Sequence, residues 1–195
     1  MTDAGAGAGR SLQSGSKTSQ LPRSPYHLTG WEPRRKRVPA KSNNKHLVTA
    51  SRLIHSTPER VYTTIADYRN GHARILPEEF SGLTVERGGV GDGTIIRFQM
   101  RVFGRTQTFR SAITEPEPGR VLVETDLDTN GAITTFTVNP GMLPGTSNVT
   151  IATALPVRTG ILGAIERALS TRFLRPIYFK ELAQLAKHVE PNKEQ

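Results

Sequence analysis

The segment TIIRFQMRVFGRTQTFRSAI, residues 94–113, sets the fold class of the chain. Apolar and polar residues alternate on both sides of Gly104, a pattern typical of two antiparallel strands joined by a tight turn. A turn at Gly104–Arg105 predicts that Met100 lies opposite Phe109. One face of the hairpin then carries Ile96, Phe98, Met100, Val102, Phe109 and Ile113. The opposite face carries Arg97, Gln99, Arg101, Thr108 and Arg110, so we expect one buried and one solvated face.

A second hairpin is predicted at Asn130–Gly131, because these residues favour the positive φ angles of a type I′ turn. In that register Thr125 lies opposite Phe136, and Val123 lies opposite Val138. The apolar residues of both strands again share a face. Together with a segment at residues 83–87 and a last strand at about 148–155, the hairpins predict an antiparallel sheet.

The sequence before the hairpins predicts a strand and two short helices. LVTASRLIH, residues 47–55, is rich in β-forming residues. Thr57 is a suitable N-cap with Pro58 at the first helical position, and the helix is expected to reach Tyr68. A further helical turn is expected after Asn70–Gly71.

A long helix is predicted from Thr159 to His188. Its apolar stripe consists of Ile161, Leu162, Ile165, Leu169, Phe173, Leu182, Leu185 and Val189. Pro176 is expected to kink or divide the helix near Arg172, because proline cannot donate the helical hydrogen bond. The element order predicts an α+β fold in which a curved antiparallel sheet of about seven strands grips the long C-terminal helix.

The charge of the chain is concentrated in its first part. The net charge is +9, and residues 1–45 contribute +7 because they hold nine Lys and Arg against two acidic residues. This part is rich in Gly, Ser and Pro and poor in aliphatic residues, which predicts a disordered basic tail. Residues 191–195 are expected to be a flexible C-terminus.

The remaining charge bears on partners and location. The domain at residues 46–190 has little excess charge, so we expect no specific nucleic-acid binding by it, and at most a weak contact of the basic tail with anionic surfaces. The chain has no run of 18 apolar residues and no secretory signal at its N-terminus. A cytoplasmic protein is therefore the expectation.

Few residues suggest catalysis. The chain has no cysteine, its five histidines lack the paired spacing of metal ligands, and it has no G-x-S-x-G motif, so we expect neither a metal nor another cofactor. His72 and Tyr68 are the catalytic candidates. His72, in the helical connection after Asn70–Gly71, could orient a ligand or shuttle a proton, and the alternative is a histidine that only caps or solvates a loop. The Tyr68 hydroxyl could reach the cavity, and the alternative is a core aromatic residue. Asp67 and Glu124 are isolated carboxylates, which are normally exposed.

Three segments resemble one known family. They are STPERVYTTIADYRNG at residues 56–71, the hairpin block at residues 85–126, and RFLRPIY at residues 172–178. Residues 46–190 are similar to the SRPBCC superfamily, and most similar to its START-like polyketide cyclase/dehydrase branch. The resemblance implies a helix-grip fold of the START and Bet v 1 type with an internal cavity. It brings no shared catalytic motif, because members of this superfamily include carriers, receptors and cyclases.

The expected function is therefore binding or transport of a small hydrophobic ligand, such as a lipid, an isoprenoid or an aromatic polyketide-like molecule. A cyclase or dehydratase with an acid/base group in the cavity is an alternative, and a protein-interaction module is another, so catalysis stays open. The predicted cavity residues are Ile65, Tyr68, His72, Phe98, Met100, Phe109, Val123, Phe136, Ile151, Ile165 and Leu169.

Deletion of residues 1–44 tests the predicted tail. Because this segment has too few apolar residues to pack on a core, we expect its removal to leave the melting temperature of the domain almost unchanged. Thermal unfolding followed by circular dichroism measures the effect. A melting temperature lowered by several degrees would contradict the prediction.

Overall fold

A computed structural model of the chain describes residues 44–128 and 131–191. Three predicted features lie at least partly outside the described residues. They are most of the tail, the flexible end after Pro191, and Asn130 of the second predicted turn. The elements are β1 (Lys45–Ile54), α1 (Pro58–Ala66), α2 (His72–Ile75), β2 (Phe80–Arg87), β3 (Ile95–Val102), β4 (Arg105–Glu117), β5 (Val121–Asp126), β6 (Ile133–Pro140), β7 (Ser147–Pro156) and α3 (Gly160–Val189).

The seven strands form one antiparallel sheet in the order β1-β7-β6-β5-β4-β3-β2. Strands β2 to β6 each pair with the next strand in sequence, as hairpin connections require. Strand β1 completes the sheet by pairing with β7. This curved sheet with its long C-terminal helix confirms the predicted α+β helix-grip fold.

The β3–β4 hairpin turns one residue earlier than predicted. Phe103 and Gly104 occupy the turn with φ angles of 47° and 78°, the positive values of a type I′ turn. The ring of Phe103 contacts that of Phe173 in α3 at 4.9 Å between centroids, so this residue gains packing in an uncommon conformation. Phe98 consequently pairs with Phe109, a shift of two residues from the predicted register. An even shift leaves every side chain on its predicted face.

The β5–β6 register corrects a prediction about Val123. Leu122 pairs with Phe136, a shift of three residues from the predicted register. An odd shift exchanges the faces of a strand, so Val123 lies on the outer face and Leu122 is fully buried on the inner face. The connection is longer than a two-residue turn, since the Asp126 N–H still pairs with the Ala132 carbonyl; at its start the Asp126 carboxylate accepts a hydrogen bond from the Asp128 N–H.

Helix α1 begins as predicted and ends earlier. The Thr57 hydroxyl accepts a hydrogen bond from a backbone N–H in the first turn, which confirms its role as N-cap. The helix ends at Ala66, two residues before Tyr68. The cause is Asp67, whose carboxylate accepts hydrogen bonds from the N–H groups of Arg69 and Asn70 and so turns the chain out of the helix.

Helix α3 continues through Pro176, so of the two expected outcomes, a kink or a division, the division is wrong. Pro176 lies on the exposed side, where the carbonyl that it leaves without a helical partner is near solvent. The second half of α3 packs with α1 against the inner face of the sheet. Its buried residues are Ile177, Tyr178, Glu181, Leu182, Leu185, Ala186 and Val189.

The first half of α3 diverges from the core. Ile161, Leu162 and Ile165 are 82%, 59% and 50% exposed, so the predicted continuous stripe against the sheet is wrong for these residues. Their spacing is helical, but α1 and the core residues gather around the second half of α3. Between the first half of the helix and the sheet, a gap remains.

The outer face of the sheet is polar as predicted. Arg97 and Arg110 both form ion pairs with Glu86, and Arg101 is exposed. Among residues 44–128 and 131–191, no helix is long and apolar enough to cross a membrane.

Substitutions on β5 test the observed register. Leu122→Ala should lower the free energy of unfolding by about 2–5 kcal/mol, because it leaves a space in the core. Val123→Ala, on the half-buried outer face, should cost about 1 kcal/mol or less. Chemical denaturation measures both values. A larger loss of unfolding free energy for Val123→Ala than for Leu122→Ala would contradict the observed register and support the one predicted from the sequence.

Candidate functional site

A cavity of about 850 Å³ occupies the gap between the inner face of the sheet and the first half of α3. Its walls are mainly apolar. The sheet and its connections contribute Phe80, Leu83, Ile96, Phe98, Met100, Val102, Phe103, Phe109, Phe136 and Leu155. Helix α3 contributes Leu169, Phe173, Leu174 and Tyr178.

The predicted cavity residues separate into three groups. Those that line the cavity are His72, Phe98, Met100, Phe109, Phe136 and Leu169. Ile65, Tyr68 and Ile151 are buried in the adjoining core and do not line it. Ile165 is half exposed outside the cavity because the first half of α3 turns it away from the sheet, and Val123 lies on the outer face.

A close approach between α1 and α2 positions His72. The chain passes Thr64 so tightly that a Cβ atom at Gly71 would lie 2.3 Å from the Thr64 carbonyl oxygen. His72 follows directly, and its Nδ1 lies 2.7 Å from the carbonyl oxygen of Ile65. Because a carbonyl only accepts, Nδ1 carries a proton and donates this bond. The other ring nitrogen, Nε2, is the one left for interactions at the cavity.

Tyr68 supports this histidine from the core. Its ring stacks on His72 with 4.4 Å between centroids, and its hydroxyl donates a 2.6 Å hydrogen bond to Glu124. Burial raises the pKa of Tyr68, and the charge of Glu124 raises it further. Tyr68 is therefore a protonated donor that orients Glu124. Of the two catalytic candidates, only His72 lines the cavity.

Glu124 lines the cavity, which corrects the expectation of an exposed carboxylate. Its side chain is 12% exposed. The β5 register explains the difference, since Glu124 shares the inner face with Leu122. Asp67 accepts a backbone hydrogen bond in the loop after α1 and does not line the cavity.

Glu181 of α3 is a second carboxyl group at this end of the cavity. It is 3% exposed, and its Oε1 lies 3.9 Å from His72 Nε2. Burial raises the pKa of Glu181, and the negative charge of Glu124 raises it further. The sequence analysis did not single out this residue. The sequence did contain a feature that could have identified it: a carboxylate between Tyr178 and Leu182, within the apolar stripe of a long helix.

Hydroxyl groups continue the polar end along the sheet. The oxygens of Tyr178 and Thr153 lie within hydrogen-bond distance, and Thr153 Oγ1 lies 2.8 Å from Thr134 Oγ1. All three residues line the cavity. The cavity therefore combines apolar walls with one end that presents two carboxyl groups, an imidazole and hydroxyls. Nowhere in the described ranges do three His, Cys, Asp or Glu residues form a group suited to a metal ion.

Comparison with known proteins relates this geometry to a family. The family model described as polyketide cyclase/dehydrase and lipid transport matches residues 45–190. No curated protein matches the chain in sequence. The KanY protein, solved by NMR, is similar at 26% identity with a TM-score of 0.66, over 76% of this chain and 99% of that one.

Two further solved structures share the fold at lower identity. The Zhui aromatase/cyclase from a Streptomyces species is 14% identical with a TM-score of 0.62, over 75% of this chain and 94% of that one. A START superfamily protein from Mycobacterium smegmatis is 15% identical with a TM-score of 0.57, over 74% of this chain and 97% of that one. At these identities the similarity shows the fold alone.

The buried carboxyl of Glu181 predicts a pH-dependent stability. The folded protein keeps the Glu181 proton to higher pH than the unfolded chain, so the free energy of unfolding falls as pH rises above the ordinary carboxyl range. The ionisable groups around it are Tyr68, His72, Glu124 and Tyr178. Glu181→Gln removes the titrating group, so its stability relative to the unmodified protein should increase from about pH 5 to about pH 8.

Chemical denaturation at both pH values measures this difference. The exposed Glu59→Gln serves as the control for loss of one carboxylate. A stability difference between Glu181→Gln and the unmodified protein that stays constant with pH would contradict the prediction.

Proposed function

Since the chain belongs to the polyketide cyclase/dehydrase and lipid transport family, we propose that its domain binds a small, largely apolar ligand in the cavity between sheet and helix. The observation that carries the proposal is the cavity itself. Its volume of about 850 Å³ lies within the range of small-molecule sites, and its walls are mostly aromatic and aliphatic. Such walls favour the apolar body of a ligand because its binding removes apolar surface from water.

The two ends of the cavity support a defined orientation of the ligand. The rim is formed partly by the first half of α3, where Leu169 is 46% exposed and lines the cavity. The other end contains the polar groups of His72, Glu124 and Glu181. A few convergent polar groups in an apolar pocket orient a ligand, while apolar contacts supply most of its affinity. This arrangement suits a carrier that releases its ligand unchanged.

A second candidate function is a cyclase or dehydratase reaction. The specific observation in its favour is that His72 Nε2 and the buried Glu181 carboxyl lie 3.9 Å apart at the cavity. A base that removes the α-proton of a β-hydroxyketone and an acid that protonates the departing hydroxyl would together release water and leave an enone. An aryl β-hydroxyketone tests this by the absorbance of the enone. Turnover by the unmodified protein and its loss in His72→Phe would favour the enzyme.

Substitution of Leu169 by Trp tests the binding proposal. The indole adds bulk at the cavity rim, so we expect Leu169→Trp to weaken binding of the neutral fluorescent dye Nile red by at least about tenfold. A well-packed site loses about 1–3 kcal/mol on such an enlargement, so melting and circular dichroism accompany the titration.

Ile165→Trp is the matched control. It introduces the same side chain one helical turn earlier, at a half-exposed position that does not line the cavity. Its dye affinity should equal that of the unmodified protein. Unchanged affinity in a folded Leu169→Trp variant, or no dye binding by the unmodified protein, would refute the cavity as a binding site and favour an interaction module.

A further inference from the structure

Glu181 has a polar atom that the protein leaves unsatisfied at the cavity. Its side chain is 4% exposed, and among the described residues its Oε1 finds no hydrogen-bond partner. Buried polar atoms almost always have a partner, because leaving one unpaired costs free energy. Since Glu181 lines the cavity, the missing partner is one that a ligand can supply.

Two other groups converge on the same place. His72 Nε2 lies 3.9 Å from Glu124 Oε1 and 3.9 Å from Glu181 Oε1. These separations are too long for hydrogen bonds. His72 is held with Nδ1 on the Ile65 carbonyl, and Glu124 is held by the Tyr68 hydroxyl, so neither depends on the other for its orientation. The three side chains thus come from α2, β5 and α3 and meet without bonding one another.

Among the described residues, no Lys or Arg forms an ion pair with the carboxyl groups at this end. Of the described Lys and Arg residues, Lys45, at the start of β1 and paired with Pro156, and Arg158, just before α3, line the cavity. Arg158 is already bonded to Glu166. Fifteen residues of helix separate Glu166 from Glu181, which corresponds to about 22 Å. A ligand carboxylate at the inner end would therefore sit beside two carboxyl groups and far from the Arg158–Glu166 ion pair.

We propose that the inner end of the cavity, formed by His72, Glu124 and Glu181, selects a ligand whose buried end donates hydrogen bonds, as a hydroxyl or an amine does, and rejects one that ends in a carboxylate. The proposal rests on the ligand binding proposed above and adds the chemical class of the ligand. A donor at this end satisfies the Glu181 oxygen, and either Glu124 or His72 Nε2 is available for a second hydrogen bond. A ligand carboxylate cannot donate to the Glu181 oxygen and adds a negative charge beside Glu124.

The raised pKa of Glu181 supports the same selection. Burial and the charge of Glu124 favour the protonated acid, so the site already disfavours one more negative charge. An ammonium group would be attracted by Glu124, and a neutral hydroxyl would avoid the cost of burying a charge. Both donors remain compatible with the site, and the experiment separates them.

Competition by three compounds with one alkyl chain tests the proposal. Dodecanol, dodecylamine and dodecanoate are titrated, below their micelle concentrations, against Nile red bound to the full chain. Dodecanol or dodecylamine should displace the dye at a concentration at least about tenfold lower than dodecanoate, a difference of about 1.4 kcal/mol. In Glu181→Gln this preference should fall below about threefold, because the amide can place an N–H at the Oε1 position, where it donates to a carboxylate.

The exposed Glu59→Gln is the control and should keep the preference of the unmodified protein. Equal affinity for the three compounds, or tightest binding of dodecanoate, overturns this proposal and leaves the general binding function standing. A preference that persists in a folded Glu181→Gln variant overturns the role of Glu181. If that variant does not fold, the three compounds compared on the unmodified protein still decide the selection. Absence of any dye binding overturns the proposed function and this inference together.

Discussion

The packing of the second half of α3 against the inner face of the sheet is the constraint on which the rest of this domain depends. Tyr178, Leu182 and Leu185 are buried there with residues of α1 and the central strands. The first half of α3 lies away from the curved sheet, with Ile161, Leu162 and Ile165 exposed, and the space between helix and sheet is the cavity. The second half of α3 packs in the core and also places Glu181 at the inner end of the cavity, while the first half forms part of the rim.

The same packing brings Glu181 into an apolar environment. Burying a carboxyl group costs free energy unless hydrogen bonds compensate, and the described residues leave one of its oxygens without a partner. The domain tolerates this cost at one position and satisfies the neighbouring polar groups, Tyr68, Glu124 and His72 Nδ1, within the protein. This unsatisfied oxygen at an otherwise well-packed end is the feature on which the proposed selection of the ligand rests.

The fold was predictable from the sequence, but only part of the site was. Apolar alternation predicted the inner face of β3 and β4 correctly. The predicted register there differed from the observed one by two residues, and an even shift does not change which face a side chain occupies. On β5 the predicted register differed from the observed one by three residues, an odd number. Val123 was therefore predicted to face the cavity, where Glu124 lies instead. The β5–β6 connection is longer than the predicted two-residue turn, and periodicity carries no information about the length of a connection. Ile161 and Ile165 have the spacing of core residues, but spacing cannot say whether another element covers them.

Native mass spectrometry of the full chain purified from its own host tests the central claim most directly. The account predicts a complex of the protein with one small molecule, lost on denaturation, whose extracted form is largely apolar and ends in a hydroxyl or amine. Gentle purification must precede the measurement, since an apolar ligand partitions into detergent. A protein that appears only as the free chain, with no small molecule in the extract, would contradict the account.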